Sequence, residues 1–177
     1  MSFERRVRVA RLPEMRLAYL DRRMPGPPSS PEFVEALGST WEEFNEWRLR
    51  HRPALGRIDI AAVGWMIDDG KGITYRTAVP VRSDYDAPAP ARTTFFPGGI
   101  FAYCYADDPD EISEALSVAR QWIEANGWRA KPGGIELYKF HYNLDQHPAD
   151  CGFLVERADG RGEPDPVTSG PLPIARE

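Results

Sequence analysis

The chain has 177 residues, 42% of them hydrophobic and 28% charged, with a formal net charge of −5. That length accommodates one well-buried domain, or two small units packed as one. The acidic balance argues against a nucleic-acid reader, which presents a basic face. No stretch approaches the roughly 18 apolar residues of a membrane span, and the N-terminus lacks the apolar core of a secretory leader. The expectation is a cytoplasmic protein that contacts neither nucleic acid nor membrane.

Residues 5–12 and 15–22 alternate apolar with polar positions and read as strand material broken at Pro13, which has no N–H for a ladder. Residues 24–30 hold three Pro and a Gly and form a loop. Ser30 then fits a helix N-cap, and Pro31 fits the first helical position. Phe33, Leu37, Trp41 and Phe44 recur every three or four residues and predict one buried helix face reaching about Arg50. Gly38 weakens its middle, and Pro53 and Gly56 end it. Ile58 to Ile67 and Thr74 to Val81 read as two strands, and residues 82–90 as a linker.

The pattern then repeats. Thr93 to Phe96 and Ile100 to Tyr105 form a second strand broken at Pro97. Leu12-Pro13 followed by Leu17-Ala18-Tyr19 matches Phe96-Pro97 followed by Phe101-Ala102-Tyr103. Asp108, Pro109 and Glu111 predict a capped helix start, with Glu111 at the capping-box position. Ile112, Leu116, Ala119 and Ile123 form its apolar stripe, and Asn126-Gly127 stops it. Ile135 to Phe140 and Gly152 to Arg157 read as closing strands. Residues 159–177, rich in Pro and Gly, read as a flexible tail.

The reading is an α+β domain over 1–158, built from tandem strand-helix-strand-strand units at about 5–81 and 91–158. Its helices lie on one face of an antiparallel sheet, and a groove runs between the copies. The bare sheet face is left for the twin unit, or an occupied groove, to cover.

The repeat also separates scaffold from site. The helix stops Gly56 and Gly127 lie 71 residues apart, and the same offset, within one residue, sets Gly64 against Glu136. Glu136 is therefore an acid the scaffold does not require. Strand alternation puts Glu136, Tyr138 and Phe140 on one face. A carboxylate among aromatics suits a cationic or polar ligand by charge pairing and cation–π contact, and burial would raise its pKa toward general acid or base use. An outward, solvated strand residue is the plain alternative. Tyr19, Trp65, Phe96, Tyr103 and Tyr105 are further candidates for the groove, with core packing as their alternative. Cys104 and Cys151, without CxxC spacing, read as buried reduced thiols. His141 and His147, near Asp145 and Asp150, carry only a faint metal-ligand spacing, so no metal or other cofactor is expected.

The chain resembles the GyrI-like family of small-molecule-binding domains, also found attached to AraC- and MerR-type regulators. The carriers are residues 12–18, Val63-Gly64-Trp65 with Asp68-Asp69, Tyr75 to Val81, Phe96 to Ala102, and Ile135-Glu136-Leu137-Tyr138. The resemblance covers about residues 5–158. The resemblance implies a tandem pair of strand-helix-strand-strand units and an aromatic groove with a buried glutamate at its centre, which would be Glu136 beside Tyr138. The usual Gly-Pro-Tyr after each first strand is absent: those places read Pro25-Gly26-Pro27 and Asp107-Asp108-Pro109. No helix-turn-helix precedes residue 5, so a stand-alone domain is expected.

The resemblance implies binding of small hydrophobic or cationic organic molecules. Alternatively it implies hydrolysis of strained, cyclopropane-bearing toxins, with Glu136 acting on water and Tyr138, Tyr103 or Trp65 holding substrate. The partners expected are a small organic ligand and, by family analogy, DNA gyrase or a second copy of the chain.

Overall fold

Pro13 and Pro97 break the first strand of each copy, and those breaks organise the sheet. The computed structural model describes residues 7–140 and 147–164. In chain order it contains β1 (Val7–Leu12), β2 (Met15–Arg23), α1 (Pro31–His51), β3 (Ile60–Asp68), β4 (Ile73–Val81), β5 (Arg92–Phe96) and β6 (Gly99–Ala106). A 3₁₀ turn (Pro109–Glu111), α2 (Ile112–Ala125), β7 (Trp128–Ala130), β8 (Gly134–Lys139) and β9 (Ala149–Arg157) complete the described elements.

The sheet runs β1-β6-β9-β8-β3-β4-β2-β5, with every pairing antiparallel and β7 beside the end of β9. Each copy lends the first half of its broken strand to the other: β1 pairs with β6, and β5 pairs with β2. The breaks pack against each other. Gly98 adopts φ +69°, and a Cβ there would lie 2.6 Å from the Leu12 carbonyl oxygen, so only glycine fits the crossing. Read from either end, the order meets equivalent strands of the two copies. The sheet therefore has an internal two-fold, and β3 and β8 flank its axis. In that central ladder Gly64 pairs with Glu136, Val63 with Leu137, and Trp65 with Ile135. The two residues matched by the repeat are thus neighbours on the axis itself.

Helix α1 starts as expected: Ser30 Oγ accepts the Phe33 N–H at 3.2 Å, and Pro31 takes the first position. Its buried residues are Phe33, Thr40, Phe44 and Trp47. Leu37 and Trp41, expected in the same stripe, are only partly buried at its border. In the 3₁₀ turn before α2, Glu111 accepts the N–H of Asp107, one residue before the cap, and Asp108 accepts the N–H of Asp110. The third strand begins at Ile60, because Ile58 is 94% exposed beside the Arg57–Asp59 ion pair. The sequence reading missed β7, whose Trp128 meets Trp122 of α2 edge-on at 5.4 Å. Strand β8 ends at Lys139, so the alternation does not carry Phe140 onto the Glu136 face; Phe140 is exposed in the following turn. Of the expected tail, residues 165–177 lie outside the described residues.

One sheet face packs on the helices. Val7, Ala102, Cys104, Cys151 and Phe153 meet α2, and Ala18, Val79 and Val81 meet α1. The other face buries Leu17, Val63, Phe96, Phe101, Ile135 and Leu137, with no helix of the described residues over it. The sheet covers this face itself. Trp65 on β3 touches Phe96 on β5, with ring centroids 5.4 Å apart, although two strands intervene. Such contact requires a strongly twisted, curled sheet. Each side chain of this size contributes about 1.5–3 kcal/mol when fully buried, so closure by curling replaces the second layer the sequence left open.

Candidate functional site

The faces of neighbouring strands follow from register. Glu136 pairs with Gly64, Gly64 with Thr77, Met66 with Tyr75, and Ala62 with Tyr138. Paired residues share a face, so Glu136, Tyr138, Tyr75 and Thr77 all project toward the helices. The Tyr75 hydroxyl donates to Glu136 Oε2 at 2.7 Å, and the Tyr138 hydroxyl donates to the same oxygen at 2.8 Å. Gly64 makes this convergence possible. A Cβ there would lie 2.2 Å from the Tyr75 hydroxyl and 2.7 Å from Glu136 Oε2. Helix α1 closes the cluster from above: Trp41 Nε1–H donates to the Tyr75 hydroxyl at 3.2 Å, and its ring lies edge-on to Tyr138 at 5.2 Å.

The electrostatics are unusual for a core. Glu136 is 3% exposed, Tyr75 1% and Tyr138 9%. Among the described residues no cation pairs with Glu136. Both phenols converge on Oε2, leaving Oε1 without a donor among those residues. Burial pushes the Glu136 carboxyl above its ordinary value, and the two phenol hydrogen bonds oppose part of that rise. Burial, reinforced by the carboxylate charge, pushes both tyrosines well above theirs, so they stay protonated donors. A buried carboxyl without a counter-ion favours a cation or a proton.

The expected site residues separate into two groups. Glu136 and Tyr138 come together. Tyr19, Trp65 and Phe96 lie on the opposite, curled face, with Tyr103 packed beside them. Tyr105 joins that face by register, opposite Asp150. There Arg76 stacks 3.9 Å over the Tyr19 ring, lies 5.4 Å from Trp65, and is held by Asp21 at 2.8 and 3.1 Å. The aromatics of that face therefore already hold a cation of the chain. Tyr75 and Trp41 are cluster members that sequence reasoning missed as site residues. The available signal was Gly64: an empty position beside Glu136 leaves room for a side chain from the next strand.

Cys104 and Cys151 are buried thiols not joined in a disulfide, directly opposite on β6 and β9, and Cys151 is the neighbour of Glu136 on the other side from Gly64. Burial raises the Cys151 thiol far above its ordinary value, so it forms a neutral wall. An open cavity of about 360 Å³ lies elsewhere, between α1 and the start of β5, lined by Glu43, Glu46, Trp47, Arg50 and Arg92 among others. It holds no member of the cluster. Of the faint metal spacing, His141 and Asp145 fall outside the described residues, and no group of metal-ligating residues occurs among those described. No described helix is long and apolar enough to cross a membrane.

The GyrI-like small molecule binding domain matches residues 6–150. This chain belongs to the GyrI-like family. No curated protein matches it at a significant level. Among solved structures, this GyrI-like chain is similar to SAV2435 bound to tetraphenylphosphonium, with a TM-score of 0.63, 12% identity, and 88% of this chain and 96% of that one covered. It is also similar to the EcmrR C-terminal domain, with a TM-score of 0.60, 14% identity, and 85% and 97% covered. A hydrolase encoded by lin2189 from Listeria innocua matches with a TM-score of 0.51, 14% identity, and 86% and 92% covered. At these identities the likeness is one of fold.

Proposed function

We propose that this GyrI-like domain binds small, largely hydrophobic organic cations at the Tyr75–Glu136–Tyr138 cluster, as a cytoplasmic sensor or sequestering protein. One observation carries the reading: a buried carboxyl walled by aromatics that has, among the described residues, no counter-ion and no donor to its second oxygen. A cation at Oε1 would displace the proton that burial favours and gain the faces of Tyr75, Tyr138 and Trp41. Entry requires Trp41 to leave Tyr75, at a cost of about 1 kcal/mol for that hydrogen bond.

Tetraphenylphosphonium, the ligand carried by SAV2435, is a suitable probe. Isothermal titration is expected to show binding that Glu136→Gln weakens at least tenfold. Equal affinity in both proteins would refute the reading.

A second reading, hydrolysis of a cyclopropane-bearing electrophile, is favoured by the raised Glu136 carboxyl. Its ionised form can take a proton from water as the water oxygen bonds to a ring carbon. The strained C–C bond breaks toward the conjugated acceptor, which then takes the proton. Mass spectrometry would show ring-opened product from the wild type and none above background from Glu136→Gln. Contact with gyrase and homodimer formation are finer proposals, tested by pull-down with purified gyrase and by light scattering.

A further inference from the structure

Thr77 is the buried residue that the cluster leaves unexplained. It is 0% exposed, and its Oγ1 has no hydrogen-bond partner among the described residues. The other buried threonine shows the usual solution: Thr40 Oγ1 donates to the Ala36 carbonyl at 2.7 Å. An unsatisfied buried hydroxyl is costly, whereas valine fills the same shape in a strand without that cost.

Its position ties Thr77 to the carboxyl. Thr77 is the ladder partner of Gly64, which is in turn the partner of Glu136. Tyr75 stands two residues away on the same strand face. Glu136 Oε2 lies 2.7 Å from where a Gly64 Cβ would be, so the carboxylate overhangs Gly64. Thr77, Gly64 and Glu136 stand in one row across three strands, and because the carboxylate leans over Gly64 beside the Tyr75 hydroxyl, it comes to about one strand spacing, roughly 5 Å, from Thr77. A buried polar atom without a partner, on the same face as a carboxyl without a counter-ion, marks where a ligand brings the missing partner.

We propose that Thr77 is a second polar anchor of the site. The ligand class it selects is an organic cation bearing a hydroxyl, amide or carbonyl about one strand spacing, roughly 5 Å, from its charged centre. This inference rests on the cation-binding reading of Glu136 and narrows it. Glu136 takes the charge, and Thr77 discriminates among cations by their hydrogen-bonding group.

The test compares tetraphenylphosphonium with (3-hydroxyphenyl)triphenylphosphonium, a close analogue that adds one hydroxyl at a suitable distance from phosphorus. Titrations use the wild type, Thr77→Val and Thr77→Ser. Thr77→Val is expected to weaken the hydroxylated probe about three- to tenfold, the value of one neutral hydrogen bond, while leaving tetraphenylphosphonium unchanged. Thr77→Ser is expected to restore the preference. Without ligand, Thr77→Val is expected to melt about 2–4 °C higher, because it removes an unsatisfied hydroxyl. Equal losses for both probes, no loss for either, or a lower melting point for Thr77→Val would overturn the role of Thr77 and leave that of Glu136 standing. Failure of the wild type to bind either probe would overturn the Glu136 reading and this inference with it.

Discussion

Replacing Gly64 by Ala puts a methyl group where the cluster's oxygens meet. The new Cβ would lie 2.2 Å from the Tyr75 hydroxyl and 2.7 Å from Glu136 Oε2. Ordinary contact needs about 3.5 Å, so the hydroxyl must retreat by roughly an ångström or more. Its way out is blocked by Trp41, which holds it from above. The 2.7 Å bond from Tyr75 to the carboxyl is then lost, a cost of about 1.5–3 kcal/mol for a bond to an ionisable group. Removing a strand glycine returns about 0.5–1 kcal/mol. The net loss is about 0.5–2.5 kcal/mol, a fall in Tm of roughly 1–10 °C for a chain of this size. Calorimetric melting reads the fall, and ultraviolet titration of tyrosine reads the freed phenol. A Gly64→Ala protein that melts at or above the wild type, with its tyrosine titration unchanged, would refute the geometry described for the cluster.

Three other outcomes are expected. Gly38→Ala, at a helix position where a Cβ meets nothing within 4 Å, should stabilise by up to about 1 kcal/mol in urea unfolding. Glu136→Gln should melt above the wild type by a margin that grows with pH. Burial raises the folded carboxyl, so between the unfolded value, about 4.3, and the folded one the unfolded chain has released a proton that the folded chain retains. Wild-type stability falls as pH rises through that window. Melts at pH 4 and pH 8 check this, and a margin that shrinks would reverse the sign. Asp21→Asn should lose about 1–2 kcal/mol by freeing Arg76 and Arg92, while leaving probe affinity at Glu136 unchanged because Asp21 holds Arg76 on the opposite face. A shared loss of affinity would contradict the face assignment.

The parts of the fold that depend on local chemistry were legible. Ser30-Pro31 marks a helix start and Pro13 and Pro97 mark strand breaks, whereas Gly56 is not the expected helix stop: α1 ends at His51 with Arg52 as a left-handed cap, and the Gly64–Glu136 match stands on the ladder itself. Relations between strands were less so. Alternation assigns faces within one strand, but which face of β6 matches that of β8 depends on register. Cys151 is the partner of Glu136, whereas Tyr103 pairs with Gly152, one residue on. That single step puts Tyr103 on the other side of the sheet. Tyr75 was hidden for a similar reason: its hydroxyl reaches from β4 across β3 to β8, a contact no linear spacing encodes. The curling that lets Trp65 touch Phe96 is likewise a property of the whole sheet.

The placement of Gly64 and Glu136 as partners on the internal axis has a further consequence. A position on a two-fold axis meets its own image. Two copies of the second unit, joined by the same ladder, would set two glutamates side by side about 5 Å apart in a dry interior, where they could not both ionise. Two copies of the first would set glycine against glycine, with no acid at all. A lone carboxyl with an empty neighbour to lean over is therefore available only to unlike halves. Carrying both units on one polypeptide lets the centre of a symmetric sheet be asymmetric, which no self-paired half could achieve.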